Sequence, residues 1–164
     1  MSRFTILIFL FLLFLPVCHV GAEQKAWVVG QTLESMAFND QHGQRRVIDE
    51  STRMVLFAAD RAAAKQVHAA IERQGADYLL NQQVIYVADI SRMPWFIARI
   101  FAIPRMQDYD YPIALGRKSE DCAEFPRQKG TVSLIYLDQQ KLKKIIFAAT
   151  ADMILPLIEN YQSR

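Results

Sequence analysis

The sequence predicts an α/β fold with a mixed central sheet, and three stretches carry that expectation. Residues 54–75 join a short apolar run, Met54 to Phe57, to an Ala-rich segment that opens at Asp60 and stops near Gly75. Residues 84–103 repeat the pattern, with a β-branched apolar run followed by an apolar stripe at helical spacing. Residues 131–148 place two apolar runs around Asp138-Gln139-Gln140, which is the pattern of a β-hairpin. Strands that alternate with helices need right-handed crossovers and pair in parallel, and a late hairpin adds an antiparallel edge.

Each element has its own local reason. Trp27 to Leu33 leads into Met36-Ala37-Phe38, and Asn39 to Gln44 carries turn chemistry, with Gly43 free to take positive φ. Arg46-Val47-Ile48 closes that hairpin. Met54 to Phe57 is apolar on both faces, as a buried strand is. Asp60 offers an N-cap oxygen, Ala63, Val67, Ala70 and Ile71 share one helical face, and Gly75 is placed for a C-terminal cap. Tyr78-Leu79-Leu80 reads as loop, and Val84 to Ile90 as a second buried strand. Pro94 fits the first position of a helix that should stop before Pro104. Tyr111 to Leu115 is a third strand that Pro112 confines to an edge or a first position. Ser119 to Phe125 reads as one helical turn capped by Ser119, and Thr131 to Leu137 as a strand. Lys141 to Ala148 returns antiparallel, with Lys141, Lys143 and Lys144 marking an edge that resists pairing. Thr150 caps a last helix whose Ile154, Leu157, Ile158 and Tyr161 share a face, and Pro156 should kink it.

The first 22 residues of the 164 read as a cleaved export signal, leaving residues 23–164 as one domain. Arg3 supplies a basic start, and Phe4 to Val17 is a 14-residue apolar run broken only by Thr5. Val20-Gly21-Ala22 offers small residues before the cut. The run is shorter than the ~20 residues of a spanning helix, so no membrane span is expected in the mature chain. Leu15-Pro16-Val17-Cys18 faintly resembles a lipoprotein box, but Val17 is not the small residue such a box needs. Cleavage after Ala22, with a periplasmic product, is therefore expected over lipidation of Cys18.

The mature chain sets 18 Lys+Arg against 17 Asp+Glu, a balance that argues against a nucleic-acid binder held by charge. Cys122 is then the single thiol, so no internal disulfide forms. His42 and His68 read as solvated, and no Cys/His spacing suggests a metal. Gly-rich phosphate and dinucleotide fingerprints are missing, so no cofactor is expected. Asp89, Asp108 and Asp110 have no spacing that implies a paired-carboxylate site.

The order of elements, with these residues, resembles the thioredoxin-like fold, a three-layer α/β/α arrangement around a mixed sheet, and especially its peroxiredoxin-like branch. Phe38 to Gln44 looks like the opening hairpin of that branch, Met54 to Ala58 like the first core strand, and Gly130-Thr131-Val132 like the approach to the fourth. The resemblance spans most of residues 27–160. It also carries a departure. Thioredoxins open the helix after the first core strand with Cys-x-x-Cys and a lysine. Aligned on Phe57-Ala58 and Lys65, this chain has Arg61 and Ala64 at the cysteine positions. No peroxidatic cysteine is present, and Gly130-Thr131 stands where the family places a cis-proline. The resemblance thus implies a scaffold kept and a redox site lost.

Two places remain as candidate ligand sites. Arg61, in the first turn, opposes the helix dipole by about 0.3–1 kcal/mol if exposed, and free N–H groups there attract anions. Neutralisation by Asp60 is the plain alternative. Thr131 should approach the same edge of the sheet. The second place is Arg92, Met93, Pro94, Trp95, Phe96 and Arg99, residue types that favour a groove for a peptide or partner. A Met/aromatic stripe at helical spacing is more often core, and core is the first expectation for it, although the stripe is wide enough that Trp95 or Phe96 should reach the surface. Cys122, among Glu120, Asp121 and Glu124, reads as an inert, half-buried thiol with a raised pKa. These features favour an exported binding module with a peptide, protein or small-anion partner over an oxidoreductase or flavin-linked dehydrogenase component. The leader is tested by intact mass. The exported protein should begin at Glu23, and retention of residues 1–22 or a diacylglycerol on Cys18 would contradict it.

Overall fold

The computed structural model describes residues 27–162, so the expected leader and Cys18 lie outside the described residues. Its centre is β3 (Met54–Ala58), every residue of which is buried. β3 pairs in parallel with β4 (Val84–Asp89) and antiparallel with β6 (Val132–Asp138). β5 (Ala114–Gly116) adds in parallel to β4, and β7 (Lys141–Ala148) adds antiparallel to β6. The hairpin of β1 (Met36–Asp40) and β2 (Arg45–Ile48) completes a seven-stranded mixed sheet in the order β2-β1-β5-β4-β3-β6-β7.

Alternation along β3 sorts the core into two layers. Met54, Leu56 and Ala58 face α1 (Arg61–Ile71) and α5 (Ala151–Gln162), where Ala63, Val67, Ile71, Ile154 and Ile158 meet them. Val55 and Phe57 point the other way, onto Trp27, Leu33, Phe125 and Leu142. The layer on that second face is a 3₁₀ turn, Ser119–Cys122, with the segment from Trp27 to Leu33. Phe125 centres it, with ring centroids 4.3 Å from Trp27 and 4.8 Å from Phe57.

The hairpin turn follows its sequence closely. Asp40, fully buried, accepts from the N–H groups of His42 and Gln44 and pairs with Arg46 at 2.9 Å. Gly43 takes φ +80°, a left-handed value that a side chain would strain. Asp60 is the N-cap of α1 as expected. Gly75 is not its C-cap: α1 ends at Ile71, and Gly75 instead opens the turn into α2 (Tyr78–Asn81), where a loop was expected.

Several expectations are corrected. The helix after Pro94 does not stop before Pro104. It runs as α3 (Trp95–Ile97), a π-helical turn (Ala98–Ala102) and α4 (Ile103–Gln107). The Ile103 N–H bonds the Ala98 carbonyl five residues back, and the widened turn lets the chain pass a proline that has no N–H to give. Its stripe is not all core. Ala98 is buried, and Met93, Ile103 and Met106 pack inward, but Trp95, Phe96, Ile100 and Phe101 face solvent. The third strand begins at Ala114 rather than Tyr111, because the Gln41 side chain takes the place of a pairing strand around Pro112. Its amide donates to the Tyr111 carbonyl and accepts from the Ile113 N–H, both at 2.8 Å. Lys118, not Ser119, holds the N-cap position of the 3₁₀ turn. α5 begins directly after Thr150, and its Ala151 N–H donates to the Gln66 side-chain oxygen at 2.9 Å. The lysine-marked edge is partly paired, since Thr32 bridges Lys141 and the Leu142 N–H donates to the Gln31 carbonyl.

Cys122 is fully buried, not half-buried, and lies against Gly116 of β5. A Cβ at Gly116 would stand inside van der Waals contact of the Cys122 sulfur. Gly116→Ala should therefore destabilise the domain by about 1–3 kcal/mol. Added to Cys122→Ala, the same change should cost much less. Urea melts of the four proteins check this, and strictly additive losses would contradict it.

Candidate functional site

β3 and β4 run in parallel with Ala58 beside Ala88, so the loops leaving them emerge side by side at the carboxyl edge of the sheet. One carries Asp60 and Arg61, and the other carries Asp89 to Pro94. β6 enters the same edge through Gly130 and Thr131, because Val132 pairs with Ala58. Open α/β sheets bind ligands outside such an edge.

Asp60 is the junction of the site. Extended backbone (φ −153°, ψ 172°) turns its side chain over the start of α1. One carboxylate oxygen accepts from the Ala63 N–H at 2.9 Å, and the other from the Gly130 N–H at 2.8 Å. Gly130 takes φ +76°, which a glycine supports at little cost. The N–H groups of Ala63 and Gly130 hold the Asp60 carboxyl below its ordinary pKa, against a smaller opposing push from burial. The helix N-terminus thus already holds an anion, and that anion belongs to the chain.

Arg61 follows as the first residue of α1, exposed, and no ion pair among the described residues includes it. Thr131 is half-buried, with its hydroxyl donating to the Gln128 carbonyl at 3.0 Å. Across the edge, Arg92 is exposed, while Met93 and Trp95 line a surface groove with Ile90, Arg99 and Arg117. The predicted residues therefore fall into two groups on one edge, Asp60 with Arg61 and Thr131, and Arg92 with Met93 and Trp95. No hydrogen bond or ion pair among the described residues joins the two groups.

Sequence reasoning missed the most buried charge at this edge. The Asp89 side chain is 3 % exposed and pairs with Arg127 at 3.1 Å. Asp89 also accepts from the N–H and hydroxyl of Ser91. Arg127 donates to the Cys122 carbonyl and lies 5.3 Å from the Phe57 ring centroid. The pair clamps the chain between β5 and β6 under the edge. The only hint in the sequence was an acid closing an apolar strand, and its partner lies 38 residues on. Burial pushes the Cys122 thiol up to about 12, with Asp89 and Asp121 adding to it and Arg127 opposing. The direction matches the expectation, but burial and Asp89 account for it more than Glu120 or Glu124.

His68 is also corrected, from solvated to half-buried. Its Nδ1 lies 2.7 Å from the Tyr111 hydroxyl, its ring stacks on Tyr109 at 4.3 Å, and Nε2 lies 3.2 Å from Glu72. His42 is exposed in the hairpin turn. Among the described residues no group of His, Cys, Asp and Glu is placed to hold a metal ion. No helix among them is long and apolar enough to cross a membrane.

This arrangement matches solved structures at low identity. The peroxidoxin BcpB of Mycobacterium tuberculosis aligns with a TM-score of 0.52 and 15 % identity, covering 82 % of this chain and 96 % of that one. StoA of Bacillus subtilis aligns with a TM-score of 0.53 and 16 % identity, over 79 % and 96 %. A thio-disulfide isomerase of Thermus thermophilus aligns at 0.52 and 16 %, over 82 % and 97 %. The chain has a thioredoxin-like fold. No protein-family model matches the sequence, and no curated protein does. Within that fold, α1 opens Arg61-Ala62-Ala63-Ala64-Lys65, without a sulfur.

The Asp60 bridge makes a pH-dependent prediction. Because its folded pKa is depressed, its stabilisation is present above the ordinary carboxylate value and is lost as pH falls through the folded one. Asp60→Ala should cost about 1–2 kcal/mol at neutral pH. In urea melts the gap from wild type should close as pH falls below about 3.9. A gap that persists into acid would contradict the carboxylate's role.

Proposed function

We propose that the chain is an exported, redox-inactive thioredoxin-like module that binds a peptide, partner protein or small anion at the carboxyl edge of its sheet. The observation that carries this reading is Arg61. It stands where the redox members of the fold carry their first cysteine, it is exposed, and it has no ion-pair partner among the described residues. Asp60 forms no ion pair with it among the described residues, and its two oxygens instead accept from the backbone N–H groups of Ala63 and Gly130. Burial of Cys122, which pushes its thiol pKa well above the ordinary value, supports the same reading, since thiol chemistry runs through an accessible thiolate.

A ligand anion at this edge meets the Arg61 guanidinium, since the Ala63 N–H of the helix start is already taken by Asp60. Thr131 stands on the neighbouring strand, and the groove of Met93 and Trp95, with Arg92 beside it, offers apolar contact further along. Export rests on the basic and apolar leader. A thioredoxin-like domain with an intact thiol site reduces insulin disulfides or consumes peroxide. This one should do neither.

The binding claim is tested with Arg61→Ala. Removing a cation that opposes the helix dipole should leave the melting temperature unchanged or slightly higher. It should weaken the stabilisation that inorganic phosphate or acetate gives the wild-type protein. A mutant less stable than wild type, with an unaltered phosphate response, would contradict the proposal. So would thiol-dependent turnover that disappears in Cys122→Ala.

A further inference from the structure

We propose that the outer face of the helix running from Trp95 to Gln107 docks on an anionic phospholipid surface. Four large apolar side chains stand on that face with little cover: Trp95 is 73 % exposed, Phe96 47 %, Ile100 60 % and Phe101 64 %. The helix is held from its other side by Ala98, Ile103 and Met106, so this face is a surplus that folding does not use. Phe96 and Ile100 lie four residues apart on one row, and the Trp95 and Phe96 rings touch edge to face at 6.2 Å.

The charges on the segment itself are basic, and the exposed acids nearest in sequence, Asp108 and Asp110, lie beyond its end. Arg92, Arg99 and Arg105 are all exposed, and none is in an ion pair among the described residues. Residues 90–107 contain no Asp or Glu, although the mature chain is nearly neutral, so positive charge is concentrated where apolar surface is exposed. Arginines beside exposed Trp, Phe and Ile on one helix are the pattern of a helix that lies in the membrane interface. The aromatic rings enter the headgroup boundary, and the arginines reach the phosphates on flexible stems.

The shape also selects lipid over a peptide. Phe96, Ile100 and Phe101 stand exposed outside the nearby groove, which Trp95 and Arg99 line together with Met93, Ile103 and Arg117. A bound peptide needs a concavity, but a bilayer receives a ridge. This face shares Trp95 and Arg92 with the edge proposed above but not Arg61. Ile100 and Phe101, which the serine changes alter, do not line that groove, so a failure to bind lipid leaves the Arg61 test standing.

The exported protein is mixed with vesicles of phosphatidylcholine alone, and with vesicles that also contain phosphatidylglycerol. Trp27 is buried and Trp95 exposed, so a change in tryptophan emission reports Trp95. We expect sedimentation with the phosphatidylglycerol vesicles and a blue-shifted emission, with neither seen on phosphatidylcholine. Paired Ile100→Ser and Phe101→Ser changes touch exposed side chains and should leave the melt intact, yet weaken binding roughly tenfold or more. Arg99→Gln should weaken it about fivefold, and Lys144→Gln, on the distant β7 edge, should not change it. Three results would overturn the proposal: no binding to anionic vesicles, equal binding to both kinds, or binding unaffected by the serine changes. Self-association through this face in the absence of lipid, or capture of an acidic apolar peptide with no vesicle binding, would overturn it too.

Discussion

The carboxylate of Asp60 is the contact that joins the parts of this molecule at the carboxyl edge of its sheet. It caps α1 through Ala63 and reaches across to the N–H of Gly130, so the first helix and the approach to β6 are fixed to one group. A helix N-terminus is ordinarily an open anion seat. Here the chain's own acid fills it, which leaves Arg61 beside it as an exposed cation. The same contact therefore does two things: it holds the edge of the sheet together, and it determines which charge the edge presents to solvent.

Beneath that edge a second internal pair works in a drier setting. Asp89 and Arg127 meet at 3.1 Å with the carboxylate almost fully buried. A buried ion pair gains little net stability over apolar packing, but losing one partner is costly. Its evident effect is positional. Arg127 bonds the Cys122 carbonyl, and Gly116 leaves the space that the Cys122 sulfur fills, so the chain between β5 and β6 closes tightly over the thiol. Seen this way, the single cysteine of the described residues is a packing residue. The charges that surround it reinforce burial in disfavouring the thiolate.

Much of the fold was legible because local and global signals agree. Met54 to Ala58 is apolar throughout and becomes the central strand. Asp60 precedes an alanine-rich face and caps it. The Asp40-to-Gln44 turn has its glycine at positive φ. The errors arose where a backbone adjustment or a distant side chain replaced a local rule. Pro104 should end a helix, but a π-helical turn made room for it. Pro112 was read as lying in a strand, and Gln41 pairs that stretch from 70 residues away. At the candidate site, Asp60, Arg61 and Thr131 were placed on one edge by the strand–helix order alone. The Asp89–Arg127 pair was invisible because its partners are far apart in sequence and sit on different elements. His68 looked solvated because an alanine-rich helix gives no sign of the tyrosines that arrive from residues 109–111. The apolar stripe after Pro94 shows the reverse problem, since composition alone does not distinguish a stripe that is buried from one that is left exposed.

The burial of Cys122, on which redox inactivity turns, can be measured without knowing any ligand. The exported protein is treated with an aromatic disulfide reagent, first folded and then in denaturant, and the released thiolate is followed by absorbance. Cys122 should stay unreacted in the folded protein over a range of pH and react fully once the chain is unfolded. Prompt stoichiometric reaction in the native state near neutral pH would mean an accessible thiolate at this site, and would contradict the account.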